Sequence, residues 1–268
     1  MKSVHSIAEL TSSLRTSPRV FVPTMGALHA GHGELIRVAR TIAGADGQVI
    51  VSIFVNPLQF GPTEDFNKYP RAQDADKELA VEYGADLVWF PESAELLSPA
   101  MIKLESPSFG NTLEGKQRPG HFDGVLTIVN RLFEIVSPTH AIFGVKDLQQ
   151  LILIREMSEE RFPNLEIVPV ETVRTDSGLA MSSRNKYLSE PEIQVASQIN
   201  KALNVAALQP DPIASFYEKL NAAGIPANQI DYAEIVPMPL SCRDLGNRRL
   251  VVAVRVGSTR LLDNIALN

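Results

Sequence analysis

Apolar residues change their spacing several times along this chain. Val20-Phe21-Val22, Val49 to Val55, Asp86 to Phe90, Ala141-Ile142-Phe143 and Ile167 to Val170 are runs of strand length. Between them, Glu34 to Ala43, Asp74 to Tyr83, Phe122 to Val136 and Leu148 to Met157 carry apolar residues at helical period. Val125, Ile128, Val129, Leu132 and Val136 share one face of the third of these. Strands alternating with helices predict βαβ units, and so a Rossmann-like α/β fold with a doubly wound parallel sheet. After Val170 the pattern changes to a polar loop. A helix from about Ser189 follows, where Ser189 and Glu192 fit a capping box, and then a helix from Pro212 to Ala222. Strands at Tyr232 to Val236 and Arg249 to Val256 close the pattern. The expected division is therefore residues 1–172 as the Rossmann-like domain and 173–268 as a smaller α+β lid. No internal repeat or low-complexity tract interrupts it.

The segment Pro23-Thr24-Met25-Gly26-Ala27-Leu28-His29-Ala30-Gly31-His32 follows the first of the long strands and opens a helix expected from about Gly33. A helix N-terminus presents free N–H groups and the positive end of the helix dipole, which favour phosphate, and glycine lets a backbone approach a ligand closely. The spacing of His29 and His32 is also that of a metal pair or of a capped turn, and the residues alone leave those alternatives open.

Composition narrows the partners. Thirty-one acidic against 25 basic residues give a net charge of −6. That balance argues against a nucleic-acid partner, whose phosphates need a basic surface. The start, Met1-Lys2-Ser3-Val4-His5, has no apolar signal-like core, and no run reaches the roughly 18 apolar residues of a membrane span. A cytoplasmic protein that acts on small molecules is expected. The single cysteine, Cys242, rules out an internal disulfide.

A second polar segment, Met181-Ser182-Ser183-Arg184, lies far downstream. With the His29-to-His32 motif it resembles the paired signatures of the nucleotidylyl-transferring Rossmann-like enzymes. Within that superfamily the chain is similar to the pantothenate synthetases, the pantoate–beta-alanine ligases. The likeness runs from Pro23 onward through Phe54 to Gly61, Arg118 to Phe122, Gly144 to Gln150 and Met181 to Asn185.

The resemblance implies an ATP-dependent, amide-forming ligase. Pantoate attacks the α-phosphorus of ATP, pyrophosphate leaves, and the amine of beta-alanine displaces AMP from the pantoyl adenylate. It places ATP on Met25, Gly26, Ala27, Leu28, His29, Ala30, Gly31 and His32, on Gly144, Val145, Lys146 and Asp147, and on Val173, Met181, Ser182, Ser183 and Arg184. Of these His32, His29, Lys146 and Arg184 are the catalytic set, with His32 giving a proton as charge builds on the leaving group, a role suited to an imidazole near neutral pH. Gln59 and Gln150 fall on pantoate, although a glutamine's chemistry alone does not choose Gln150 over Gln149. Pro23, Met25, Phe54 and Asn56 complete the substrate pocket, Met25 and Phe54 as its apolar wall. Arg118 and His121 are expected to add positive charge over the phosphates.

Magnesium is implied as the counter-ion of ATP, held mainly through the phosphates, with Asp76 the nearest protein carboxylate. Ala75 stands where the family often has an acidic residue, and Val145 replaces its usual acidic or amide residue. The family also implies a homodimer, and the domain boundary is expected to leave the 181–184 loop free to close over the site. A transferase that keeps its nucleotidylated product and a tRNA synthetase fragment or silent nucleotide-binding module are the competing classes. The tRNA class calls for a basic domain that nothing after Ser189 supplies.

Overall fold

The computed structural model describes residues 2–15, 18–62, 64, 66–99 and 101–267. It divides into two units: Met1–Gly144 with Gln149–Val170, and Val145–Leu148 with Glu171–Asn268.

The first unit holds strands β1 (Lys2–Val4), β2 (Arg19–Thr24), β3 (Gln48–Ile53), β4 (Leu87–Trp89), β5 (His140–Gly144) and β6 (Glu166–Val170). Its helices are α1 (Ile7–Ser13), α2 (Ala30–Ala43), α3 (Gln73–Glu82), α4 (Ser93–Leu96), α5 (Leu113–Gln117), α6 (His121–Val136) and α7 (Leu148–Arg161), the last beginning in the four residues grouped with the second unit. All strand pairs are parallel, in the order β1-β4-β3-β2-β5-β6. The chain winds from β2 outward through β3 and β4, then crosses to the other side of β2 for β5 and β6. The reversal falls between β2 and β5, and the crevice beyond the carboxyl ends of strands at such a switch is where open α/β sheets bind ligands.

Alternation along β2 explains why the sheet is covered on both faces. Val20 and Val22 pack with Val49, Val51 and Val88 against Ile36 and Ala39 of α2 and Ala80 of α3. Phe21 points the other way, edge-on to Phe133 of α6, which also meets Phe143. Gly33, in the first turns of α2, is what lets α2 and α3 approach. A Cβ there would lie 2.5 Å from the Tyr83 ring.

The expected doubly wound α/β sheet is present. The strand expected over Val49 to Val55 ends at Ile53, and the apolar Phe54 and Val55 belong to the loop beyond it. β1 and α1 carried too few apolar positions to be foreseen.

The second unit contains α8 (Glu190–Ala206), α9 (Pro212–Ala222) and an antiparallel sheet of β7 (Ile230–Pro237), β8 (Arg248–Val256) and β9 (Thr259–Leu267). The Ser189–Glu192 cap is present, with Glu192 accepting from the Ser189 N–H at 2.8 Å. Phe216, Leu220, Leu203, Leu250, Val252 and Val254 form the core between helices and sheet. The pattern does not close at Val256 as expected: β9 pairs with β8 along its whole length. Residues 145–148 group with this unit rather than with the strand they follow, because Asn264 of β9 holds the Val145 and Lys146 carbonyls.

Candidate active site

The turn after β2 is built around one buried carboxylate. Gly26 and Ala27 have φ of 88° and 51°, in the left-handed region, so successive backbone N–H groups converge on one side of the chain. Asp76 of α3, 3% exposed, takes two of them, Ala27 at 3.0 Å and Leu28 at 2.6 Å. Any side chain at Gly26 would press on the same carboxylate, with a Cβ 2.9 Å from Asp76 Oδ2.

Helix α2 begins at Ala30 rather than Gly33, with His29 as its N-cap. The His29 Nδ1 accepts from the Gly31 N–H at 3.1 Å, and the His29 N–H donates to His32 Nδ1 at 3.2 Å. Two imidazoles thus form a capping box usually made by a hydroxyl and a carboxylate. In both rings Nδ1 is the acceptor, so a neutral ring carries its hydrogen on Nε2. The rings lie 4.1 Å apart, each a donor through Nε2 at the start of a helix. That arrangement suits hydrogen-bond donation to phosphate oxygens rather than binding of a metal ion, since a ring keeping Nδ1 on the backbone would have to shed its Nε2 hydrogen to bind a metal there. Among the described residues no cluster of three His, Cys, Asp or Glu side chains is placed to hold a metal ion.

Beside this turn, at the carboxyl end of the adjacent β3, stand Phe54, Asn56 and Gln59. Gln59 is buried, receives Asn56 Nδ2 on its Oε1 at 3.0 Å, and directs its Nε2 to Met25 Sδ at 2.9 Å. Asn56 also caps the short 3₁₀ turn of residues 57–59 and donates to the Gly124 carbonyl. Gly124 must be glycine, for a Cβ would fall 2.2 Å from the Leu58 carbonyl oxygen. Met25, Phe54 and Gly26 line a cavity of about 260 Å³ that continues to Phe90, Arg71 and Asp76.

Arg118 and His121, expected over phosphate, do other work. Arg118 is bidentate to Glu64, at 2.9 and 2.6 Å, and this guanidinium holds the Glu64 carboxyl below the ordinary carboxylate range. His121 Nδ1 lies 2.8 Å from the Gln59 carbonyl oxygen, which Arg118 also reaches at 3.3 Å. With Arg118's charge answered by a carboxylate, the pair fastens the Gln59 loop instead of offering an open cation.

The two adjacent glutamines at the start of α7 differ in a way that their sequence does not reveal. Gln149 is buried and donates to the Phe109 and Thr112 carbonyls while accepting from the Glu114 N–H. Gln150 is half-buried, and no bond of its amide to the protein is seen among the described residues. Gln149 is a structural staple, which leaves Gln150 as the one of the two suited to a ligand.

In the second unit, Gly144's successor Val145 is fully buried, so its departure from the family's polar residue costs no exposed contact. Lys146 extends toward Asp147, 3.4 Å away, and lines one cleft with Leu179, Ala180, Ser182 and Asp263. Val173 accepts from the Met181 N–H at 2.9 Å, closing a hairpin whose tip turns at Gly178. Ser182 Oγ accepts from the Arg184 N–H at 3.2 Å and caps the 3₁₀ turn Ser183–Tyr187, so part of the serine's capacity is used locally.

Comparison with known proteins agrees with this geometry. The sequence profile of the family described as Pantoate-beta-alanine ligase matches residues 1–266. The pantothenate synthetase of Mycolicibacterium smegmatis is 44% identical over 269 residues, covering 98% of this chain and 85% of that protein. Among solved structures, pantothenate synthetase from Thermus thermophilus superposes with a TM-score of 0.86 at 38% identity over 99% of both chains. A pantoate-beta-alanine ligase from Francisella tularensis, complexed with beta-gamma ATP and beta-alanine, superposes with a TM-score of 0.82 at 34% identity, covering 99% of this chain and 97% of that one. With a profile match over almost its whole length, the chain belongs to the pantoate-beta-alanine ligase family.

Proposed function

We propose that this enzyme joins pantoate to beta-alanine in two steps on one site, with pantoyl adenylate between them. The observation that carries the reading is the turn after β2: two imidazoles with their Nδ1 atoms fixed by backbone, beside the partly buried Gln59–Met25 pair. Hydrogen-bond donors fixed in advance stabilise charge as it develops without reorganising at the moment of reaction. In the first step a pantoate carboxylate oxygen bonds to the α-phosphorus and the bond to the β-phosphate bridging oxygen breaks. His29 and His32 donate to the phosphate oxygens, His32 to the side where pyrophosphate departs. In the second, the beta-alanine amine attacks the acyl carbon and AMP leaves with the former carboxylate oxygen.

Gln59 and Gln150 orient pantoate, with Pro23, Met25, Phe54 and Asn56 around it. Gly26 to Gly31, Gly144, Val145, Asp147, Val173 and Met181 line the nucleotide. Lys146, Ser182, Ser183 and Arg184 take its phosphates. Magnesium enters as the nucleotide's counter-ion. Asp76, with both oxygens on the Ala27 and Leu28 N–H groups, is committed to the turn, and no cluster of three ligating side chains among the described residues fits a protein-built cage, so no step is assigned to the ion. The family reading further makes the enzyme a cytoplasmic homodimer. No helix among the described residues is long and apolar enough to cross a membrane.

Oxygen-18 in the pantoate carboxylate tests the chemistry. One labelled oxygen should appear in AMP after amide formation, and labelled pyrophosphate should exchange into ATP with pantoate present and beta-alanine absent. ADP with labelled inorganic phosphate would mean an acyl phosphate instead. A nucleotidylated product that accumulates and ignores the amine would make the protein a transferase.

A further inference from the structure

Two polar residues sit side by side in the middle of β9 where the strand's neighbours are apolar. Asp263 and Asn264 are 4% and 2% exposed. Burying them is costly unless their bonds return the loss, and those bonds run to two separate segments of the second unit. Asp263 receives both terminal nitrogens of Arg174, at 2.7 and 2.9 Å. Arg174 bridges to Ala180 across the Val173–Met181 hairpin and donates to the Gly178 carbonyl, so Asp263 grips the hairpin from which Ser182, Ser183 and Arg184 emerge. Asn264 donates through Nδ2 to the carbonyls of Val145 and Lys146, at 2.9 and 3.2 Å. Its Oδ1 is held by Arg249 Nε at 2.7 Å, and its own N–H donates to Asp263 Oδ1 at 2.8 Å. One rigid strand therefore carries the anchors of both cation-bearing segments.

We propose that Asp263 and Asn264 are positioning residues that hold Lys146 and the Ser182–Arg184 segment at a fixed spacing, so that one triphosphate meets both. Neither is a catalytic residue. The inference rests on the reading that Lys146 and Arg184 face ATP phosphate. Displacing either segment by about 1 Å is enough to cost up to roughly a hundredfold where charge must be met in place.

Asn264→Asp tests it with nearly the same shape, replacing two N–H donors by a carboxylate oxygen facing two carbonyls. The KM for ATP should rise about 10- to 100-fold while that for pantoate stays within about twofold. In a Lys146→Ala background the same substitution should add little, because the residue acts through Lys146. A lowered melting temperature with an unchanged KM for ATP, or a full effect that persists on top of Lys146→Ala, would reduce Asn264 to a core residue and overturn the proposal. Should Asn264→Asp not fold, Arg174→Gln tests the other arm on a partly exposed side chain. It should raise the KM for ATP, with Arg174→Lys losing less, and an unchanged value there overturns the proposal equally. Lys146→Ala and Arg184→Ala separate the two readings. If neither alone raises the KM for ATP, the phosphate reading falls and takes this inference with it. If both do while Asn264→Asp and Arg174→Gln do not, the inference alone falls.

Discussion

Asp76 and Asp263 are the two buried aspartates among the described residues, and each steadies a loop far from it in sequence. Asp76 does so with neutral partners, the N–H groups of Ala27 and Leu28, inside the motif it shapes. Asp263 does so with a guanidinium, Arg174, several residues before the segment it serves. A carboxylate on backbone amides dictates the φ and ψ of each peptide it touches and defines a turn in detail. A carboxylate on an arginine fixes where a hairpin is rooted and leaves its tip to be set by local bonds such as Ser182 Oγ with the Arg184 N–H. On the proposed function both loops must meet charge in place, the first through a turn fixed bond by bond and the second through a root held by one ion pair.

The sharpest way to break this contrast is His32→Ala. If the first turn carries the charge-stabilising step, kcat should fall about 10²–10³-fold, the 3–4 kcal/mol typical of a lost oxyanion donor, with circular dichroism and ATP affinity little changed. Pantoate-dependent pyrophosphate exchange reads the step directly. Near-normal exchange in a folded variant would remove His32 from the mechanism.

Asp76→Asn comes next. The amide can satisfy one of the two N–H groups and must turn a donor toward the other, which leaves a buried group unpaired at about 1–3 kcal/mol. Thermal unfolding should shift down by several degrees, at roughly 2–4 °C per kcal/mol for a chain of this size. Exchange activity should drop with it, because His29 follows Leu28. If the melting temperature fell while activity held, the turn would be a scaffold only and the contrast with Asp263 would vanish.

The smallest effect concerns Glu64. Its ion pair with Arg118, both side chains about a fifth exposed, fastens the Gln59 carbonyl, and Glu64→Gln should raise the KM for pantoate about two- to fivefold, the worth of a modest ion pair. The sign of the pH effect follows from the lowered carboxyl. Because Arg118 keeps Glu64 ionised below its usual range, the pair's contribution is complete above that range and is lost only as pH falls through the depressed value. The KM for pantoate should stay flat from pH 7 to about pH 5 on this account. A rise beginning near neutrality would have to come from a group other than Glu64.

How much of this was legible in the sequence depended on what each polar residue does. Ser189 and Glu192 announce a helix start because hydroxyl and carboxylate are the common capping pair. His29 and His32 make the same box three residues earlier than the expected helix; a capped turn was one open alternative there, and the residues did not choose it because imidazole rarely serves as a cap and Gly31 and Gly33 lower helix propensity. The parallel strands declared themselves through runs such as Val20 to Val22. β9 did not, since Asp263 and Asn264 interrupt its apolar positions to hold other segments. Arg118 reads in the sequence as a cation for phosphate, because its partner Glu64 lies 54 residues away. Partners distant in the chain are the information that periodicity does not contain.

The meeting of Gly33 with the Tyr83 ring carries a consequence for descent. A side chain added at 33 obliges the half-buried Tyr83 ring to move, since even a methyl carbon would stand 2.5 Å from it. Shrinking the tyrosine first opens a void beside α2 and α3, and removing a large aromatic side chain from packing is itself expensive. The two positions are therefore coupled in descent, and a lineage with a larger residue at 33 should show either a smaller residue at 83 or a tyrosine swung away from α2.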